Sequence, residues 1–194
     1  MGFENLTIGG HNQKISFERF QMFGAFSGID AVGSPDGNAV ACGQSLHAFT
    51  RLAGAAAALL SARQALGGDI MDSDDATLYW IALREQTLPF FATSVLWRIA
   101  CAPGTPALNA GPTLIEWGGG QRWIAADADP QSLRSLAERS GGHATLFRQV
   151  QGQAFPPQGV FHPLSQGAAT IVRRLKEEFD PKAVFNPGRL IAGL

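Results

Sequence analysis

Three arginines are the first candidates for chemistry. Arg98, Arg122 and Arg148 each lie within or at the end of a short run in which apolar residues alternate with others, the pattern of a β-strand. On a shared sheet face, their guanidinium groups would make a cationic surface able to hold a carboxylate through paired hydrogen bonds. Paired singly with Glu116, Asp127 or a backbone carbonyl, they would instead be structural. Cys101 and His143 are the residue types of a nucleophile and its base, but no local signature surrounds either one. A cysteine hydrolase would need Cys101 to be reactive at neutral pH. Glu116, beside Trp117, would make a general acid only if burial raised its pKa. Gly43-Gln44-Ser45-Leu46-His47 lacks the final glycine of a nucleophile elbow. The histidines, at 11, 47, 143 and 162, have no metal-ligand spacing. Asp69, Asp72, Asp74 and Asp75 lack the glycine and terminal glutamate of a calcium loop and suit a solvated helix N-terminus. No metal site is expected.

The most specific local pattern is the ending Phe179-Asp180-Pro181-Lys182-Ala183-Val184-Phe185-Asn186-Pro187-Gly188-Arg189. Asp-Pro stops a helix. Val184-Phe185 reads as an apolar pair tucked into the core, and Asn-Pro-Gly as a tight exposed turn that fixes Asn186 and its backbone amides in place. By itself the segment could equally be a C-terminal clamp.

These residues must be positioned by a small set of elements. Leu52, Ala55, Ala56, Leu59, Leu60, Ala62 and Leu66 recur at helical spacing, which predicts a helix from Arg51 that ends at Gly67-Gly68. A second helix opens at Ser73-Asp74-Asp75 and stops before Pro89. Ser94 to Cys101 alternates as a strand. Thr113–Trp117 and Arg122–Ala126, joined by Gly118-Gly119-Gly120-Gln121, predict a hairpin. Asp129-Pro130 caps a third helix, which Gly141 closes. His143–Arg148 is a further strand, and Leu164–Phe179 a final amphipathic helix. The class is α+β: an antiparallel sheet with helices packed on one face, in a ferredoxin-like arrangement. Residues 1–50 carry no clean periodicity and read as a poorly specified lead-in segment or linker that either adds an edge element or packs on a partner, with residues 51–194 as the domain. No glycine-rich loop joins a strand to a helix as a phosphate cradle would require.

The 194 residues suffice to bury a core, and a hydrophobic fraction of 45% excludes wholesale disorder. With 15 basic against 16 acidic residues, the chain has no general attraction to nucleic acid or to an anionic membrane. Its longest apolar stretch, Leu52–Leu60, is too short to span a bilayer. The N-terminus lacks the regions of a signal peptide, and two cysteines make no disulfide framework, so the cytoplasm is the expected compartment. Only 16% of residues are charged. A surface this poor in charge is either that of a tight Ala/Gly-rich fold or one that a neighbour normally covers.

The C-terminal run resembles the signature of FAD-linked oxidases of the vanillyl-alcohol oxidase type, in which the last helix is followed by D-P-x-x-x-x-N-P-G-K/R. More narrowly, four earlier stretches resemble the FAD-binding subunits of bacterial glycolate oxidases. These are Trp80–Gln86, Leu96-Trp97-Arg98, Ile115–Trp123 and Gly142–Arg148; Val160–Leu164 also fits. The resemblance covers about Arg51 to Leu194. It implies the cap, or substrate-side, portion of a 2-hydroxy acid oxidoreductase, with Asn186, Gly188 and Arg189 in the segment that returns to the flavin. FAD is implied for the intact family and is not expected to be bound by this chain alone, because the glycine-rich flavin domain precedes the region matched. The implied partners are a sister flavin subunit and an iron-sulfur subunit, which could bring the chain to the inner face of the membrane. An isolated chain could close an uncovered face as a homodimer. The competing expectation is a non-catalytic α+β module for binding or subunit assembly. It should cover its own apolar faces with residues 1–50.

Overall fold

The computed structural model describes residues 4–11, 26–30, 47–54, 56–66 and 69–188. Eight strands form one sheet: β1 (Glu4–His11), β2 (Phe26–Asp30), β3 (His47–Gly54), β4 (Asp69–Ile70), β5 (Leu96–Ala100), β6 (Thr113–Glu116), β7 (Gln121–Ile124) and β8 (His143–Arg148). Among the described residues four α-helices accompany them: α1 (Ala56–Leu66), α2 (Ser73–Arg84), α3 (Pro130–Arg139) and α4 (Gln166–Phe179). The strand order is β4-β1-β3-β2-β6-β7-β5-β8, and every pairing is antiparallel.

The α+β class holds. Strands β6-β7-β5-β8 have the order of a ferredoxin-like sheet, with α3 as the crossover between β7 and β8. Loop 101–112 stands where the other crossover helix of that arrangement would be. The expected hairpin is β6–β7, with Glu116 opposite Gln121.

One boundary is corrected. The first helix begins at Ala56 rather than Arg51, because residues 47–54 pair along their whole length with β1 as β3. Ladder pairing at residues 51–54 outweighs the helical spacing they share with the Ala-rich run that follows. The segment before residue 50 contributes β1, β2 and the start of β3 to the sheet. The expected stop at Gly67-Gly68 lies outside the described residues.

The core has two parts. On one face Trp97, Ile99, Ile124, Ala144 and Leu146 pack against Leu133 and Ala137 of α3. On the other face Leu96, Leu114 and Trp123 pack against Leu83 of α2 and Phe91. Adjacent Leu96 and Trp97 are therefore both buried, each on its own side of the pleat. Removing each such large side chain from water contributes about 1.5–3 kcal/mol.

α2 is capped by Asp72, whose carboxylate accepts from the Asp74 N–H at 2.8 Å. α3 begins as the Asp-Pro pair requires, with Asp129 accepting from Ser132 N–H and Oγ–H at 2.8 Å. Those bonds, the side-chain one first, hold the Asp129 carboxyl below its ordinary pKa.

α4 differs from the other helices. Its apolar stripe is present in the sequence, yet none of its residues is buried: Ile171 is 61% exposed and Phe179 79%. The Val184-Phe185 pair is exposed as well, not tucked into the core as expected. It follows a helix that itself does not dock on the sheet.

Candidate functional site

The strand register decides which candidate side chains can meet. Arg122 points to the α3 face and is 2% exposed. Its guanidinium donates to the carbonyl of Pro106 at 2.6 Å and to that of Thr105, tying loop 101–112 to β7. Arg148, at the end of β8, donates to Phe91 O at 2.6 Å, Thr93 O at 3.2 Å and Gln86 Oε1 at 3.3 Å. It clamps the segment between α2 and β5. Arg98 lies on the opposite face from Arg122, directly across from Trp123 on β7 and Thr145 on β8. It is half-buried and makes no hydrogen bond or ion pair with any described residue. The three arginines thus share no sheet face. Of the three, only Arg98 keeps its donors uncommitted among the described residues.

The row beside Arg98 on the same face is Glu116, Gln121, Ala100 and His143. His143 is exposed and stands diagonally from Arg98 across small Ala100, a separation of about 7–8 Å that long side chains can close. At the far end of the row, the Glu116 carboxylate accepts from Trp123 Nε1–H at 2.5 Å and from Gln121 Nε2–H at 2.9 Å. It is committed to holding the hairpin. Cys101 packs into the α3-side core, and its Sγ–H points to Gly119 O at 3.6 Å. Cys101 and His143 therefore sit on opposite sides of the sheet and form no dyad.

Among the described residues no group of three or more His, Cys, Asp or Glu side chains converges as a metal site would require. Asp72 and its acidic neighbours are exposed around the start of α2. His162 accepts from Ala144 N–H at Nδ1, 3.3 Å away, and faces Glu138 through Nε2 at 3.3 Å. Burial, which outweighs the pull of Glu138, lowers its pKa.

The C-terminal segment is organised by Asp180. Its carboxylate caps the turn by accepting from Val184 N–H and Phe185 N–H, both at 2.9 Å, and it pairs with Lys176. The hydrogen bond from Lys176 is the main reason the Asp180 carboxyl lies below its ordinary pKa. Lys176 also donates to Phe185 O at 2.6 Å. The turn so fixed presents Asn186 and Gly188 outward, both exposed and both with positive φ, +46° and +69°. Arg189 lies outside the described residues.

Sequence reasoning passed over Arg134. It is 1% exposed and donates to Gln158 Oε1 at 2.9 Å and to the carbonyls of Gly159 and Phe161. Its place on the inner face of α3, next to Leu133, was the available signal.

No family profile and no solved structure matches the chain. A curated relative does: glycolate oxidase subunit GlcE of Escherichia coli (strain K12), 38% identical over 148 residues, which are 75% of this chain and 39% of the relative. The chain thus spans well under half the length of the protein it matches. Among the described residues no helix is long and apolar enough to cross a membrane. Over a partial region, the chain is a relative of a glycolate oxidase subunit, in keeping with the FAD-linked oxidase type that its C-terminal segments resemble.

Proposed function

We propose that the chain is the cap, substrate-side portion of a glycolate-oxidase-type FAD-dependent 2-hydroxy acid oxidoreductase subunit, incomplete and inactive by itself. The observation that carries this reading is the bare apolar surface on α4 and the turn after it. Ile171, Leu175, Phe179, Val184 and Phe185 are all exposed within 15 residues of one another, next to Asn186. A surface of this kind, on a chain that matches 39% of its relative, is what a neighbouring flavin domain would cover. Bound flavin supplies the acceptor for hydride from the α-carbon of the 2-hydroxy acid. The chain itself contributes Arg98, whose free guanidinium holds the substrate carboxylate. His143, on the same face, is placed to take the hydroxyl proton. Asn186 and Gly188, with Arg189 beyond them, form the contact to the flavin domain. The remaining subunits are a sister flavin subunit and an iron-sulfur subunit. Their assembly is cytoplasmic, at the inner face of the membrane.

A second reading is a non-catalytic α+β module for binding or subunit assembly. It is favoured by β1, β2 and β3, which extend the sheet from β6 with residues of this chain's own N-terminal segment.

The test is purification alone and after co-expression with the flavin domain of a GlcE-type subunit. Alone, the chain should be colourless, without the flavin band near about 450 nm, and should not oxidise glycolate. Co-expressed, it should form a yellow complex that is lost in Ile171→Asp/Phe179→Asp. In the active assembly Arg98→Gln should raise KM about 10-fold or more, and His143→Gln should mainly lower kcat. A yellow preparation of the chain alone, or failure of the two halves to associate, overturns the proposal and leaves the module reading.

A further inference from the structure

A second concave site lies away from Arg98, between α2 and the edge of the sheet at β3 and β4. It has a volume of about 540 Å³, within the range of small-molecule sites, about 300–1,000 Å³. One face of α2 forms a wall through Ala76, Trp80, Ile81 and Arg84, the i, i+4 spacing of a single helix side. Ile70 and Met71 form the other wall, and Arg51 of β3 reaches in from the sheet.

The lining is divided chemically. Trp80, Met71, Ile70 and Ile81 make an apolar channel, and Ile70 and Ile81 stay 46% and 42% exposed although they line a concavity. Arg51 makes no hydrogen bond or ion pair with any described residue. Arg84 uses its Nε–H toward Glu85 at 2.7 Å, and both terminal nitrogens are without a partner among the described residues. The single carboxylate in the lining, Asp72, is occupied by capping α2. Two uncommitted guanidinium edges above an apolar floor suit an anion that carries a hydrophobic body. A two-carbon hydroxy acid would leave such a channel unfilled.

We propose that this groove binds a monocarboxylate on an aromatic or branched aliphatic body, with Arg51 and Arg84 on the carboxylate and Trp80 against the apolar part. Arg98 is not among the residues that line it, and its walls come from α2, β3, β4 and the short junction between β4 and α2. Occupancy would fix α2 against β3, and so couple the groove to the face on which Leu83 packs beside Trp123.

The probe is 1-naphthoate, titrated into the 194-residue chain by calorimetry, with the Trp80 indole N–H followed by NMR. We expect saturable binding that shifts the Trp80 signal. Arg51→Gln and Arg84→Gln should each weaken it about ten-fold, Arg51→Lys less, and Arg98→Gln not at all. Uncharged 1-naphthalenemethanol should bind at least about ten-fold more weakly. Both arginines are exposed, so circular dichroism of the variants should match the parent. Absence of saturation at about 5 mM naphthoate, undiminished binding in the Arg51→Gln/Arg84→Gln double variant, or loss of binding in Arg98→Gln would overturn the assignment.

Discussion

Arginine is the most numerous cation here, 12 of 15 basic residues, and the structure uses it in two distinct ways. Arg122, Arg134 and Arg148 each satisfy two or more carbonyl or amide oxygens from a loop. Lysine could not span such sets, because the planar guanidinium fork places several donors at fixed angles. Removing Arg134 would leave the carbonyls of Gly159 and Phe161 without partners inside the fold. Arg134→Met should therefore cost about 2–4 kcal/mol in urea unfolding, whereas Arg98→Gln should change stability by less than about 1 kcal/mol. Equal losses for the two would mean that Arg98 is also a structural clamp.

His162 makes a second residue-scale prediction. Its folded-state pKa lies below the ordinary 6.5, with burial as the main cause. In acid the unfolded chain takes up a proton that the folded chain resists, so stability is full above about pH 6.5 and falls as the pH drops toward the folded pKa. Protonation would also remove the Nδ1 acceptor of Ala144 N–H. His162→Gln should flatten this part of the stability profile, measured by denaturant midpoints between about pH 5 and 7.5.

At the scale of elements, the close approach of β5 and β8 rests on one backbone position. A Cβ on Gly142 would come within 1.8 Å of the Ala100 carbonyl oxygen, a backbone atom that cannot swing away. Gly142→Ala must push the start of β8 off β5 and should cost about 2–4 kcal/mol. Thermal unfolding checks this. Gly141→Ala is a useful comparison: nothing lies within 4 Å of its added Cβ, so its cost comes only from the +67° φ.

The same elements show what was legible in the sequence. Caps and turns write their geometry locally. Asp129-Pro130, the 118–121 turn and the Asp180-Pro181 stop were therefore readable, and each sits where expected. β3 was not readable, because His47–Gly54 carries no period of its own, and it takes its strand form from pairing with β1, about 40 residues away. The faces of Arg98 and Arg122 were hidden for a related reason. Four residues separate β6 from β7, but which way each side chain points follows from pairing with β5, more than 15 residues earlier.

At the scale of the whole molecule, the main feature is the exposed apolar surface on α4 and the turn after it. α4 carries a strong amphipathic pattern, yet its large apolar residues Ile171, Leu175 and Phe179 face outward. The helix needs no burial to form. Ser165 caps its start, and Lys176 with Asp180 locks its end to the turn that follows. Since the stripe contacts no core, its side chains should add little to the stability of the sheet but much to association. Replacing Ile171, Leu175 and Phe179 together with Lys, Lys and Ser should leave the urea midpoint within experimental scatter. It should also sharply reduce binding of a hydrophobic dye and concentration-dependent association in sedimentation. Two single variants separate the clamp from the stripe. Asp180→Asn should loosen residues 181–188, seen as faster amide exchange at Val184 and Phe185, without altering dye binding by Ile171. In the parent the same loosening should appear as the pH falls through the depressed Asp180 pKa, because stability held by a carboxylate of lowered pKa is lost only on protonation. If the triple variant instead unfolds the sheet, α4 is part of the core, and the neighbour proposed to cover it is unnecessary.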